Sequence, residues 1–451
     1  MTADSAISPG EVLSDLGTTF AAYLATIENF YTPDILALMR TVATTSPTPA
    51  AVEACYQLLS NWTGSGMNLP LPIPPATGLS FPKDHGEHWD TPIEWRYLAC
   101  SLSLKGGGHI HAITNIFRKA IATVASASAL RDVERQIYST SRAVTIDLPG
   151  KAPVHYSLPV ETRSALQGGM EVAGDPLKLV VGDTSLIATT SDVFPIRFHF
   201  EAAGDTAVGR PAITFDIEAE AANPLFLQGL DGYIGAPAGQ PQAVSWYYYS
   251  WPQQPTTGTV IIDGTVHTAA SGLTWMDHQW GGYPAPTAAT PPGWSGWCWF
   301  EFQFDGNRSL TLACSHAGLK GHELPLINPG FGTFVDNGKA SLVPAALEVL
   351  AYSKSTETDA HYPSDWLIEV GSAQGPLLLV VKPRTVLKNQ AMWMGGLTEY
   401  SEAAATVTAI GQINGKGVEM AGIGYCEGVG FEDPAEHEAR VVAFLTSLLP
   451  P

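Results

Sequence analysis

The segment Ser271-Gly-Leu-Thr-Trp-Met-Asp-His-Gln-Trp-Gly-Gly282 gathers an acid, an imidazole, an amide and two indoles between Trp275 and Trp280. A carboxylic acid whose pKa is raised by burial can protonate an unactivated alkene. Aromatic faces then stabilise the tertiary carbocation, by about 0.5 to 2 kcal/mol for a well-placed ring. One positioned water completes a hydration, and a nearby base handles its proton. Asp277 is the candidate acid, His278 the group that orients or deprotonates water, and Trp275 and Trp280 are the wall. Run backwards, the same set dehydrates a tertiary alcohol. These residues also admit a structural role, in which Asp277, His278 and Gln279 form a buried hydrogen-bond network that fixes a domain joint, with Trp280 still lining the cavity.

The run Gly293-Trp-Ser-Gly-Trp-Cys-Trp-Phe-Glu-Phe-Gln-Phe-Asp-Gly306 alternates with period two. Its even positions, Cys298, Phe300, Phe302 and Phe304, form an apolar face, and the odd ones are Trp, Trp, Glu, Gln and Asp. Asp277 and His278 are expected just upstream, where a strand gives way to a loop. Cys298 and Phe300 are expected to line the substrate pocket, together with Tyr249 from the aromatic strand 245–252, Trp95 and His111.

Other motifs fall away on spacing. Asp84, His85, Glu87 and His88 follow no tight zinc pattern, and His109-Ile-His111 lacks the glutamate that should follow an HxH metal motif. Neither a metal nor a cofactor is expected. Trp294-Ser-Gly-Trp297 is no nucleophile elbow, and Gly106-Gly-Gly108 is a hairpin tip rather than a phosphate loop.

A formal net charge of -20 argues against nucleic acid and anionic membrane surfaces, so the expected partner is a neutral, hydrophobic small molecule. Five widely spaced cysteines without a CxxC pair suggest a reducing compartment. With no basic, apolar leader and no apolar run of bilayer length, the expectation is a cytoplasmic protein without a transmembrane segment.

The elements that must position these residues are mainly β. A length of 451 residues with 45% hydrophobic content supports two cores. Residues 1–75 carry helical periodicity, at Val12, Leu16, Phe20 and Tyr23 and again at Ile35, Leu36, Leu38 and Met39, with a capped start at Ser46. The prolines of 69–76 end this helical extension. From residue 92 short alternating strands separated by Gly, Pro, Asn and Asp predict antiparallel barrels or sandwiches. The expected units are 76–250 and 251–451, with a short helix over 434–449.

Several segments resemble the two-domain lipocalin-like family that includes bacterial carotenoid 1,2-hydratases. They are Phe81-Pro-Lys-Asp-His-Gly-Glu-His88 with Glu94-Trp-Arg-Tyr97, Ile116-Phe-Arg118, Tyr248-Tyr-Ser-Trp-Pro252, Gly272–Gly281 and Gly422-Ile-Gly-Tyr-Cys-Glu427, in the family's order. The resemblance implies two lipocalin-like antiparallel β-barrels with the substrate held between them. It also extends to the scaffold of fungal decalin-forming Diels-Alderases. Two positions depart from the pattern: the usual tandem tryptophan is Trp95-Arg96, and Cys298 stands where many relatives have an acid. Residues and resemblance together predict a cofactor-independent hydratase or dehydratase of an apolar isoprenoid-like alkene or tertiary alcohol. A cyclase that folds a polyene and works by proximity, and a carrier of hydrophobic small molecules, are the alternatives.

Overall fold

A computed structural model describes residues 33–45, 78–120, 131–165, 169–235, 245–282, 296–316, 326, 329–372, 374–385 and 390–449. The expected helical pattern at Val12 to Tyr23, the capped start at Ser46, the proline run and Trp294 lie outside these residues. Helix α1 (Pro33–Thr45) buries Ile35, Leu36, Met39 and Val42 and packs against α2 (Pro434–Ser447). Helix α2 starts on Asp433, whose carboxylate accepts the backbone N–H of Ala435 and Glu436. No helix among the described residues is long and apolar enough to cross a membrane.

The rest is antiparallel sheet. The first sheet contains β1 (Ile93–Leu104), β2 (His109–Ala120), β3 (Gln136–Asp147), β4 (Val154–Ser164), β5 (Met170–Gly174), β6 (Leu177–Val181), β7 (Thr184–Ala188), β8 (Ile196–Ala202), β9 (Ile213–Ala219), β10 (Phe226–Leu227), β11 (Tyr233–Gly235), β12 (Ser245–Ile262) and β13 (Thr265–Gly282). Its order is β4-β3-β2-β1-β13-β12-β9-β8-β7-β6-β5, with β10 and β11 alongside β12. The two edges approach each other, β3 and β4 touching β6, so the sheet curls like a barrel.

The second sheet contains β14 (Gly296–Phe304), β15 (Arg308–His316), β16 (Gly330–Asp336), β17 (Lys339–Lys354), β18 (His361–Val370), β19 (Leu377–Pro383), β20 (Ala391–Met394), β21 (Thr398–Ile413) and β22 (Lys416–Val429). Pairing of β19 with β21 closes eight of these strands into a ring, and β20 lies on its side. Asx-Gly turns set three of the hairpins. Asp263-Gly264, Asn337-Gly338 and Asn414-Gly415 each have two consecutive positive φ angles, the type I′ geometry that matches strand twist.

The boundary expected at 250–251 falls inside β12. Pro252 does not end this strand, because a register irregularity between Trp251 and Gln254, with Gln253 at φ 53°, absorbs the proline and the strand runs on to Ile262. The hairpin then returns β13 onto β1, so the chain passes to the second sheet only after Gly282.

Each barrel has its own core. The first is filled by Leu98, Leu179, Phe198, Phe200, Phe215 and Trp280 among others, and the second by Cys298, Phe300, Phe302, Phe304 and Trp366 among others. A third cluster joins them, with Tyr97, Ile113 and Trp275 from the first sheet packed against Met392, Tyr400 and Tyr425 from the second.

Candidate active site

Asp277 and His278 lie in the body of β13, not at a strand-to-loop junction. Consecutive side chains of a strand point to opposite faces, and this separates the expected pair. Met276, His278 and Trp280 point into the first barrel, whereas Trp275 and Asp277 point toward the second sheet. His278 therefore cannot act as the base for chemistry at Asp277.

On the outer face, Tyr97, Asp277 and Ser250 lie in register across β1, β13 and β12. Trp275 Nε1 donates to Asp277 Oδ1 at 2.7 Å, and Tyr248 Oη donates to Oδ2 at 2.8 Å. Tyr248 Oη also receives Trp299 Nε1 at 3.2 Å from the second sheet. Burial pushes the Asp277 carboxyl up to about 7 despite these donors, which favour its charged form. It is a proton donor poised near neutrality.

The second sheet answers with the odd face of β14, Trp297, Trp299 and Glu301, and with its neighbours by register. Trp299 pairs with Glu427, Glu427 with Glu402, and Glu301 with Tyr425. Trp297 Nε1 donates to Glu427 Oε1. Glu301 receives Gln303 on Oε2 at 3.2 Å, but its Oε1 has no partner, and neither does Tyr97 Oη. Burial drives Glu301 and Glu402 well above the usual carboxylate range, reinforced by Asp277 for Glu301 and by Glu427 for Glu402. Glu427 is raised by burial as well. The Tyr97 ring meets Trp299 edge-on at 5.0 Å, tying the two faces together.

Sequence reasoning missed Glu402, Glu427, Tyr97 and Tyr248 as a set. Glu301 stands on the polar face of 297–305, opposite the apolar side expected to line the pocket. Cys298 and Phe300 are fully buried inside the second barrel, on the face opposite Glu301. Trp275 alone among the expected aromatic residues meets Asp277 directly. Tyr249 points into the first barrel, and Trp280 stacks there on His88 at 3.7 Å and 4°. Trp95 contacts Phe117 and Trp246 beside the joining cluster. His111 is buried, with Nδ1 3.1 Å from Ser101 Oγ, and burial first, then Arg384, holds its pKa well below the usual imidazole value.

The inward face of β13 belongs to a different network. His278 Nε2 lies 2.6 Å from Glu94 Oε1, and its Nδ1 lies 2.7 Å from Tyr249 Oη. Glu94 also holds His88 Nδ1 at 2.9 Å and Arg118 Nε at 2.9 Å, while Arg96 pairs with Glu87. Burial would raise the Glu94 carboxyl, but His88, His278 and Arg118 outweigh it and hold it well below its ordinary value. His88, Glu94 and His278 bring three ligand-type atoms within 4.8 Å of one another. Those atoms are spent on hydrogen bonds within the trio, and Arg96 Nη2 stands 3.7 Å from the shared Glu94 oxygen, so a metal ion there would face a guanidinium. The residues 81–97 single out thus converge on a polar knot that fastens the segment before β1 into the barrel.

Residues 72–427 match the family described as AttH-like. Among solved structures, a putative AttH from Nitrosomonas europaea is similar at a TM-score of 0.61 and 21% identity, over 81% of this chain and 100% of that one. Kievitone hydratase from Nectria haematococca is similar at 0.50 and 15%, over 80% and 94%. CghA with Sch210972 aligns at 0.45 and 13%, over 81% and 96%. No curated protein matches.

Proposed function

The chain belongs to the AttH-like family, and from that premise we propose that it is a hydro-lyase that adds water to an apolar, isoprenoid-like alkene, or removes it from the tertiary alcohol, by acid catalysis between the two barrels. One observation carries the reading: the Asp277 carboxyl is buried between the sheets against Trp275, Tyr248 and Tyr97, and burial pushes it up to about 7. Kievitone hydratase has this fold, and hydration is the reaction class adopted for this chain.

The step needs a proton, a wall for the cation and water, and no cofactor. The Asp277 proton forms a C–H bond at the less substituted alkene carbon, the π bond breaks, and a tertiary cation remains beside Trp275 and Trp299. Water held at the free Glu301 Oε1 forms the C–O bond. Its surplus proton returns to the Asp277 carboxylate, so the acid is regenerated and the balance is alkene plus water to alcohol. Dehydration is the same path reversed.

The test is Asp277→Asn, which keeps the shape of the side chain. Assayed on a panel of isoprenoid alkenes and tertiary alcohols in isotopically labelled water, it is expected to lose at least about 100-fold in turnover, the usual minimum for a general acid. Wild-type turnover by the folded variant would remove Asp277 from the reaction.

A further inference from the structure

Buried carboxyls are normally paired with Arg, Lys or His. Asp277, Glu301, Glu402 and Glu427 are not: among the described residues none of them has a basic group within 4.0 Å, although Glu94, Glu87 and Glu432 all do. Two further polar atoms in the same patch, Tyr97 Oη and Glu301 Oε1, have no partner. Tyr97 and Glu301 are 3% and 0% exposed, so bulk water does not satisfy them. Trp275 and Trp299 both belong to the cluster that joins the sheets, one from each, and Trp299 meets the Tyr97 ring edge-on.

Unpaired acids, free buried acceptors and indole faces together have one natural complement. We propose that the patch between the barrels is a binding site for a hydrophobic organic cation, an ammonium on a branched apolar tail. The ring quadrupoles and carboxylates attract the charge, and the tail packs on the apolar part of the joining cluster. A quaternary ammonium sheds its hydration more readily than a primary amine and meets the rings and the free oxygens through its electropositive methyl groups. This goes beyond the hydro-lyase reading and does not require it.

Proton linkage gives the site a signature. Burial raises all four carboxyls, and a neighbouring acid adds to it for Asp277, Glu301 and Glu402. The groups facing them from adjoining strands are the phenols Tyr97, Tyr248, Tyr400 and Tyr425, all driven well above their usual values and so neutral. Arg384, which bears on Tyr425, is itself lowered by burial. A bound cation must therefore draw its counter-charge from the carboxyls and expel a proton.

Calorimetric titration of the full chain with a 6-methylhept-5-enyl trimethylammonium salt, and with the neutral analogue carrying carbon in place of nitrogen, tests this. In two buffers of different ionisation enthalpy, the cation is expected to bind at least about tenfold more tightly than the neutral analogue and to release close to one proton. Its advantage should grow between about pH 6 and about pH 8 and shrink in Glu301→Gln/Glu402→Gln. Equal affinity for the two ligands, or binding without proton release, overturns the site, and this wild-type comparison stands even if the double variant does not fold. Full turnover by Asp277→Asn would sink the hydro-lyase and leave the cation site, whereas equal binding would do the reverse.

Discussion

Asp277 gains its chemical potential from what surrounds it rather than from its type. Its ordinary value of 3.8 becomes about 7 because burial penalises the carboxylate more than the side chains of Ser250, Tyr248 and Trp275 can recover. If the protonated form does the work, kcat/KM is level below about 7 and falls about tenfold for each pH unit above it. A limb falling toward acid instead would mean that the carboxylate is the working form. The same shift governs stability. The folded value lies above the unfolded one, so the stabilisation tied to the buried proton is complete below 3.8 and is lost as pH rises through 7. Asp277→Asn has no such proton. Relative to the wild type it should become more stable by about 2 to 3 kcal/mol between about pH 5 and about pH 8, read from paired denaturant curves. A constant difference across that range would show that Asp277 is ionised in the fold.

At the scale of the strand, β13 decides which groups can cooperate. It is buried on both faces along Thr274–His278, so the polar/apolar alternation that marks a half-buried strand is absent there. Adjacent polar residues were therefore legible as important, but their opposite directions were not. The faces follow from the pairing of β13 with β1, between residues far apart in sequence, which no local pattern encodes. Where one face is uniformly apolar, as at Cys298 to Phe304, parity was readable, and only its destination was mistaken: the phenylalanines fill a barrel and Glu301 meets the neighbouring sheet. The helix at Ile35 to Met39 was legible from periodicity, and a short helix was expected where α2 starts at Pro434. Glu402 and Glu427 become a pair only through the register of β21 with β22. The inward network makes its own prediction. Glu94→Gln leaves Arg118 and Arg96 short of buried negative charge and is expected to cost about 3 to 5 kcal/mol. Turnover per folded molecule should stay near wild type, since no group of that knot shares a face with Asp277. A stable variant with lost turnover would instead move the chemistry into the first barrel.

Over the whole molecule, the formal net charge of -20 counts every one of 43 acids as ionised. The raised carboxyls between the barrels keep part of that charge out of the interior, which allows acidic faces to be pressed together at all. What holds them is a set of hydrogen bonds that cross the joint. Tyr400 Oη takes Asn115 Nδ2 at 2.9 Å and lies 2.9 Å from Ser141 Oγ, and Tyr425 Oη donates to the Cys100 carbonyl at 3.1 Å. Gln253, at the irregular point of β12, reaches across to Gln303 and to the Phe304 carbonyl. Each barrel thus has its own core, but their facing sides share an aromatic cluster and these crossing hydrogen bonds, so separating them exposes the rings and leaves those polar groups unpaired. The two barrels should accordingly melt as one unit, with calorimetric and van't Hoff enthalpies in agreement. Tyr400→Phe keeps the ring in the cluster but leaves Asn115 and Ser141 without their shared partner, and is expected to cost about 1 to 3 kcal/mol. Because the lost contacts belong to the joint, that cost should lower one shared transition. Two resolved transitions in the wild type, with Tyr400→Phe moving only the second-barrel one, would show that the barrels fold independently and that the carboxyl patch is a contact they can release.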